Sequence, residues 1–152
     1  MRKDPNGLFY LRRGLQDDLS LSDRRPTPNS SMDFVLVILR VAEVIAVGRA
    51  FARALGCSEE DTMLEFAFRW RGLHGRTLTS WANPGRLLSE QRQSVQDTAV
   101  CRVTVPLITA PETTVEHTQV VVDQLFALFD GFQISTNVTK DLVTRLLERR
   151  LD

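Results

Sequence analysis

From Thr62 to Arg71 the side chains alternate: Leu64, Phe66, Phe68 and Trp70 fall on one set of positions, Met63, Glu65, Ala67, Arg69 and Arg71 on the other. A period of two sends the first set to one face of a β-strand and the second to the opposite face. An aromatic row of this kind has to be covered, so the chain must fold as strands packed under helices or a second sheet. A second run repeats the pattern. Ala99, Cys101, Val103 and Val105 share one face, with Val100, Arg102 and Thr104 opposite and Pro106 near the end. Between the runs, Gly72 to Gly75 predicts a turn and Arg76 to Trp81 a returning hairpin strand. Asn83-Pro84-Gly85 predicts a further turn, followed by a polar, glutamine-rich loop to Asp97.

The covering layer is legible as helices. Phe34 to Leu55 is mostly Val, Ile, Leu, Ala and Phe, with Asp33 as its cap and Gly56 as its stop. Arg40, Glu43, Arg49 and Arg53 fall within one half of the helical wheel, which predicts a core helix with one wet side. Those charges are costly at a bilayer centre and argue against a membrane span. Its start, Phe34 to Leu39, is β-branched enough to fit a strand as well. Thr113 and Glu116 stand in capping-box spacing before Val121, Val122, Leu125, Phe126 and Phe129, with Gly131 as terminator. Phe132 to Ser135 reads as a short strand or extended connector. A last helix from about Asn137 carries Val138, Leu142, Val143, Leu146 and Leu147 on its stripe, with Arg149 and Arg150 suited to its C-terminal dipole.

At the other end, Leu8, Leu11, Leu15 and Leu19 have helical spacing and predict a short amphipathic helix, weakened by Gly14. Ser20 to Ser31, with Pro26 and Pro28, reads as a linker. The expected organisation is an N-terminal arm, 1–31, and a single α+β domain, 32–152. In that domain an antiparallel sheet of three or more strands is covered by a long helix and two C-terminal helices. The arm is expected to dock elsewhere, on another domain or a second copy. A chain of 152 residues can bury such a core without disulfides or metal.

The formal net charge is zero, so no global pull toward nucleic acid or acidic membrane is expected. Locally the balance is uneven. Phe66 to Ala110 holds Arg69, Arg71, Arg76, Arg86, Arg92 and Arg102 against Glu90 and Asp97, a net of +4. Pro111 to Thr139 holds Glu112, Glu116, Asp123 and Asp130 with no Lys or Arg, a net of −4, and the two segments can neutralise each other. Only Lys3 and Lys140 are lysines. Arginine suits carboxylate and phosphate recognition, although a GC-rich genome yields the same bias. Cys57 and Cys101 lack metal-ligand spacing and are expected to be buried apolar thiols. The first residues are charged and do not form a signal peptide, so a cytoplasmic protein is expected.

No catalytic template is present. The histidines, His74 and His117, belong to no His-Glu-x-x-His pair, and no P-loop or Gly-x-Ser-x-Gly elbow occurs. Glu116 and His117 are adjacent in a helix and do not face each other. No enzyme, metal or cofactor is expected. The candidate binding residues are Arg69, Arg71, His74, Arg76, Trp81 and Arg102. Three or four arginines on one open sheet face can hold phosphates, with Trp81 as a stacking surface. The same residues serve equally as a solvated face with cross-strand pairs such as arginine to Glu65, or as a surface for a protein partner.

Phe68-Arg-Trp-Arg-Gly-Leu-His-Gly-Arg-Thr-Leu-Thr-Ser-Trp-Ala-Asn-Pro resembles the C-terminal region of bacterial proteins that begin with a Schlafen-type, Alba-like nucleic-acid-binding domain. Gly7-Leu-Phe-Tyr-Leu-Arg-Arg and Leu125-Phe-Ala-Leu-Phe-Asp-Gly-Phe are similar to the same region. The resemblance runs from about Gly7 to Leu151. It implies an accessory domain of a bacterial cytoplasmic protein of regulator-like or ATP-binding type. The Alba-like domain has no counterpart in this sequence, so its roles are not carried over, and no family catalytic residue maps here. The function expected is a non-enzymatic interaction or oligomerisation module of a DNA- or RNA-associated protein, the alternative being direct nucleic-acid binding.

Overall fold

In chain order a hairpin of β1 (Arg2–Lys3) and β2 (Phe9–Tyr10) is followed by one turn of helix, α1 (Gln16–Leu19), then β3 (Ser31–Asp33) and the long α2 (Phe34–Ala54). The chain continues through β4 (Met63–Arg71), β5 (Thr77–Thr79) and β6 (Thr98–Pro106) to α3 (Thr114–Phe126) and α4 (Thr136–Leu147). The structure, a computed structural model, describes residues 2–3, 7–86, 88 and 90–148.

The strand-like start of α2 becomes helix because Asp33 caps it. Its Oδ1 accepts from the backbone N–H of Val35 (2.8 Å) and Leu36 (3.1 Å), satisfying amides that a helix otherwise leaves open. Val35, Ile38, Val41, Ala42 and Ile45 are then buried at helical spacing. Gly56, at φ 76°, turns the chain out of the helix. Gly48 is needed for a different reason: a Cβ there would stand 2.5 Å from Cε1 of Phe66, so β4 could not approach the helix as closely.

The polar half of α2 is only partly wet. Arg40 and Glu43 form an exposed ion pair, as a solvated face would. Arg49, expected on that face, is buried instead and donates to the carbonyls of Thr109 and Ala110 and to Thr114 Oγ1. Arg53 donates to the Leu107 carbonyl and pairs with Glu59. The segment leading from β6 into α3 closes over these arginines because they satisfy its open carbonyls. The expected capping box of α3 does not form. Thr113 Oγ1 donates back to the Ala110 carbonyl at 2.6 Å, and a 3-10 turn, Pro111–Thr113, leads into the helix. α4 begins at Ser135, whose Oγ accepts from Asn137 N. Phe132 to Ser135 is connector, and Arg149 and Arg150 lie outside the described residues.

The fold is α+β, but the sheet is not the expected one. β4 and β6 pair antiparallel along their full lengths, from Met63↔Pro106 to Arg71↔Thr98. β5 does not return beside β4. It pairs in parallel with β3, Thr77 opposite Ser31 and Thr79 opposite Asp33, so the described strands form three two-stranded pairs. The cause lies in the turn. Gly72 and Gly75 take positive φ, Leu73 is fully buried, and the Gly72 carbonyl accepts from Arg76 Nε at 2.6 Å. The turn's own N–H groups, at Leu73 and Gly75, donate to Asp97 and Ser94 ahead of β6. The chain is thereby pulled away from the edge of β4.

The arm also differs from expectation. The short amphipathic helix expected over its leucines is reduced to the single turn α1, and Phe9–Tyr10 is a strand whose Phe9 ring meets Phe51 at 5.9 Å. Asp17 and Asp18 of α1 accept from Asp33 N and from Arg76 of the domain, so the arm has docked in place.

Candidate interaction surface

The predicted binding residues divide into two groups with opposite environments. Arg76 belongs to the interior, with 2% exposure, and not to an open sheet face. Its five N–H donors meet five acceptors. Nε donates to Gly72 O, Nη1 to Asp18 Oδ1 and Ser31 O, and Nη2 to Asp18 Oδ2 and Asn29 Oδ1, all within 2.6 to 3.1 Å. The forked pair with Arg76 is the main cause that holds the Asp18 carboxyl below the usual carboxylate range. Trp81 is tied into the same knot, its Nε1 donating to Asp17 Oδ1 at 2.9 Å. Asp17 also accepts from Asp33 N, and Asp33 Oδ2 accepts from Ala82 N. Burial is the leading influence on Asp33 and raises its pKa, against the opposing pull of these backbone donors. Asp17, Asp18 and Asp33 therefore join arm, helix and turn. Sequence reading missed the first two because leucine spacing drew attention to the wrong face of the arm.

Arg69, Arg71 and Arg102 do share the outer face of the β4–β6 ribbon, and all are exposed. Arg102 Nη1 donates to Glu65 Oε1 at 2.8 Å, a diagonal cross-strand pair with both side chains about two-thirds exposed. Such a pair adds little stability. Arg69 and Arg71 make no hydrogen bond or ion pair with a described residue. The other arginines of the basic segment are engaged elsewhere, Arg86 with Asp141 and Arg92 with Glu90 and the Asp130 carbonyl. Among the described residues the apparent excess of charge thus narrows to two guanidinium groups on β4 without a partner.

The two strands of the ribbon are unequally covered. On β6 the inward residues Ala99, Cys101, Val103 and Val105 are all buried. On β4 Leu64, Phe66, Phe68 and Trp70 are only half-buried. Phe66, Phe68 and Trp70 stack in a row, with centroids 6.4 and 5.9 Å apart. β4 overhangs the helical layer.

The edges differ as well. Gln124 on α3 closes the centre of the β6 edge: its Oε1 accepts from Arg102 N (3.2 Å) and its Nε2 donates to Arg102 O (3.1 Å). Since Arg102 points its backbone groups away from β4, Ala67↔Arg102 is a non-hydrogen-bonded pair, and the alternation continues along the ladder. Leu107 N donating to Thr62 O fits the same phase, and so does Pro106, which has no N–H, opposite Met63. Met63, Glu65, Ala67, Arg69 and Arg71 therefore direct N–H and C=O outward from β4. No described residue pairs with these groups.

No family model, curated protein or solved structure matches this chain. The remaining candidates are dispersed. His74 is exposed on its turn, with Nδ1 3.0 Å from the Val95 carbonyl oxygen. His117 Nδ1 lies 2.7 Å from the Thr113 carbonyl oxygen, closing one helical turn. Cys101 is buried opposite Phe68, and burial pushes its thiol up to about 11, away from the thiolate that a nucleophile needs. Cys57 is exposed, not buried as expected, because it follows Gly56 after the helix has ended. Among the described residues no cluster of His, Cys, Asp and Glu is placed to hold a metal, and no helix is long and apolar enough to cross a membrane.

Proposed function

We propose that this chain is a non-enzymatic interaction or oligomerisation module of a bacterial, cytoplasmic DNA- or RNA-associated protein, and that it acts through the β4–β6 ribbon. The observation that carries the interaction reading is the uncovered strand. β4 offers a row of unpaired backbone groups beside a half-covered aromatic row, and adding a strand satisfies both at once. The nucleic-acid association rests on the string resemblance to Schlafen-type, Alba-like proteins.

A second reading is favoured by one observation, the two unpaired arginines. In it Arg69 and Arg71 contact phosphates directly, without Arg76 and Trp81, which are held inside the knot. Titration with single- and double-stranded nucleic acid over a salt series separates the two, run beside a measurement of mass in solution. The interaction reading expects assembly with weak nucleic-acid binding. Affinity that falls steeply with salt and collapses in the Arg69→Ala/Arg71→Ala double variant replaces it with direct binding.

A further inference from the structure

We propose that the partner of the β4 edge is the β4 edge of a second copy, paired antiparallel about a two-fold axis through Ala67. This rests on the interaction reading above and specifies its partner and register. The two ribbons would join into one continuous sheet in the order β6, β4, β4 of the second copy, β6 of the second copy.

Four features of β4 support that register. It is the antiparallel alignment in which all of Met63–Arg71 overlaps with itself. The outward-directed backbone groups belong to odd-numbered residues, so Ala67 meets Ala67, Glu65 meets Arg69 and Met63 meets Arg71, each as a hydrogen-bonded pair exchanging both bonds. On the outer face this puts the carboxylate of Glu65 opposite the unpaired Arg69 of the second copy, twice by symmetry. Glu65 already lies beside Arg102 of its own chain, so it would stand between two guanidinium groups. On the inner face Phe66 comes opposite Phe68 and Leu64 opposite Trp70, in non-hydrogen-bonded pairs where side chains approach most closely. The half-covered aromatic row of each copy is extended by that of the other. Centring the axis on Glu65 or on Arg69 instead sets like charges against each other. Ala67, the smallest outer residue of the strand, is the one at the crossing point.

The β6 edge explains why the assembly would stop at two. Gln124 occupies its centre and Pro106 removes an N–H at its end, so the joined sheet presents two blunted edges.

The test measures mass by sedimentation over a concentration series for the full chain and three variants. The wild-type chain is expected to pass from monomer to dimer as concentration rises. Glu65→Arg and Arg69→Glu each place like charges across both symmetric contacts and should weaken dimerisation about tenfold or more. An equimolar mixture of the two variants should restore it as a heterodimer, because the two arginines of one chain then face the two glutamates of the other across both contacts. Ala67→Pro should leave the monomer folded, since the N–H it removes points outward and bonds nothing in the chain, yet abolish the dimer. Should Ala67→Pro fail to fold, the charge pair decides alone. A dimer indifferent to both charge reversals overturns this edge and register while leaving an interaction module in place. A chain that stays monomeric throughout overturns self-pairing, and steep salt-dependent nucleic-acid binding by that monomer removes the interaction reading as well.

Discussion

Arg71 and Arg76 are near neighbours in sequence, yet one sits where nothing is paired and the other where everything is. Around Arg76, five donors meet five acceptors contributed by the arm, the turn and β3. Along β4, backbone groups and two guanidinium groups face outward with no described partner. The difference shows how an arginine's role follows from what surrounds it. Burying a guanidinium unpaired is costly, so the interior Arg76 is ringed by acceptors. An exposed one is solvated by water and stays available for a partner.

The largest test of this contrast replaces each arginine with an apolar residue of similar length. Arg76→Met removes the charge that pairs with the half-buried Asp18 and leaves the Gly72 and Ser31 carbonyls without their donor, so it should cost about 2–4 kcal/mol in urea unfolding. Arg69→Met should change stability by less than about 0.5 kcal/mol, as expected of an exposed site without contacts. Arg76→Lys should not rescue the fold, since an ammonium with three donors cannot meet five acceptors arranged around a planar fork. Equal losses at positions 69 and 76 would erase the distinction.

A smaller and more selective test lies in acid. Asp18 has a folded pKa below its unfolded one, so its stabilisation is complete above the unfolded pKa and is lost as pH falls through the folded value. Asp33 behaves oppositely. Its folded pKa is raised, so protonation on the way down through that value relieves a penalty and partly offsets the loss at Asp18. Unfolding midpoints followed from neutral pH into acid should therefore decline less steeply in Asp18→Asn and more steeply in Asp33→Asn, each compared with its own neutral value. Parallel slopes in all three proteins would mean that the knot does not govern acid stability.

A modest effect on stability is expected at Gln124. Gln124→Ala gives up exposed hydrogen bonds with a net cost of about 0.5–1.5 kcal/mol. It also uncovers the middle of the β6 edge, making the two edges of the ribbon more alike. Light scattering should then detect species larger than the dimer, because a sheet with two open edges can continue growing. A variant that behaves as wild type would show that the α3 side chain has no part in limiting growth.

Much of the architecture was legible from local pattern. The two period-two runs, Met63–Arg71 and Thr98–Pro106, are strands, and Asp33 caps the long helix as its position suggests. These features depend on neighbours one to four residues away, which a sequence displays directly. The strand beginning after Gly75 was misplaced because its partner, β3, lies far off in sequence and straddles the end of the stretch read as linker and the helix cap Asp33. Asp17 and Asp18 carried no local signal, since both are ordinary polar residues until Arg76 and Trp81 arrive from elsewhere. Of the candidate site, phase puts Arg69 and Arg71 on one face, and the pairing of β4 with β6 adds Arg102 to it.

Periodicity and capping act over a few residues, and they suffice for the apolar side of β4 and β6, the extent of the long helix α2 and the absence of familiar catalytic spacing. Which arginine is interior and which lacks a described partner, and which strand edge Gln124 closes, follow from long-range packing. Those outcomes depend on groups brought together across long separations, where burial makes an unmet hydrogen bond expensive and exposure leaves it to solvent or to a partner.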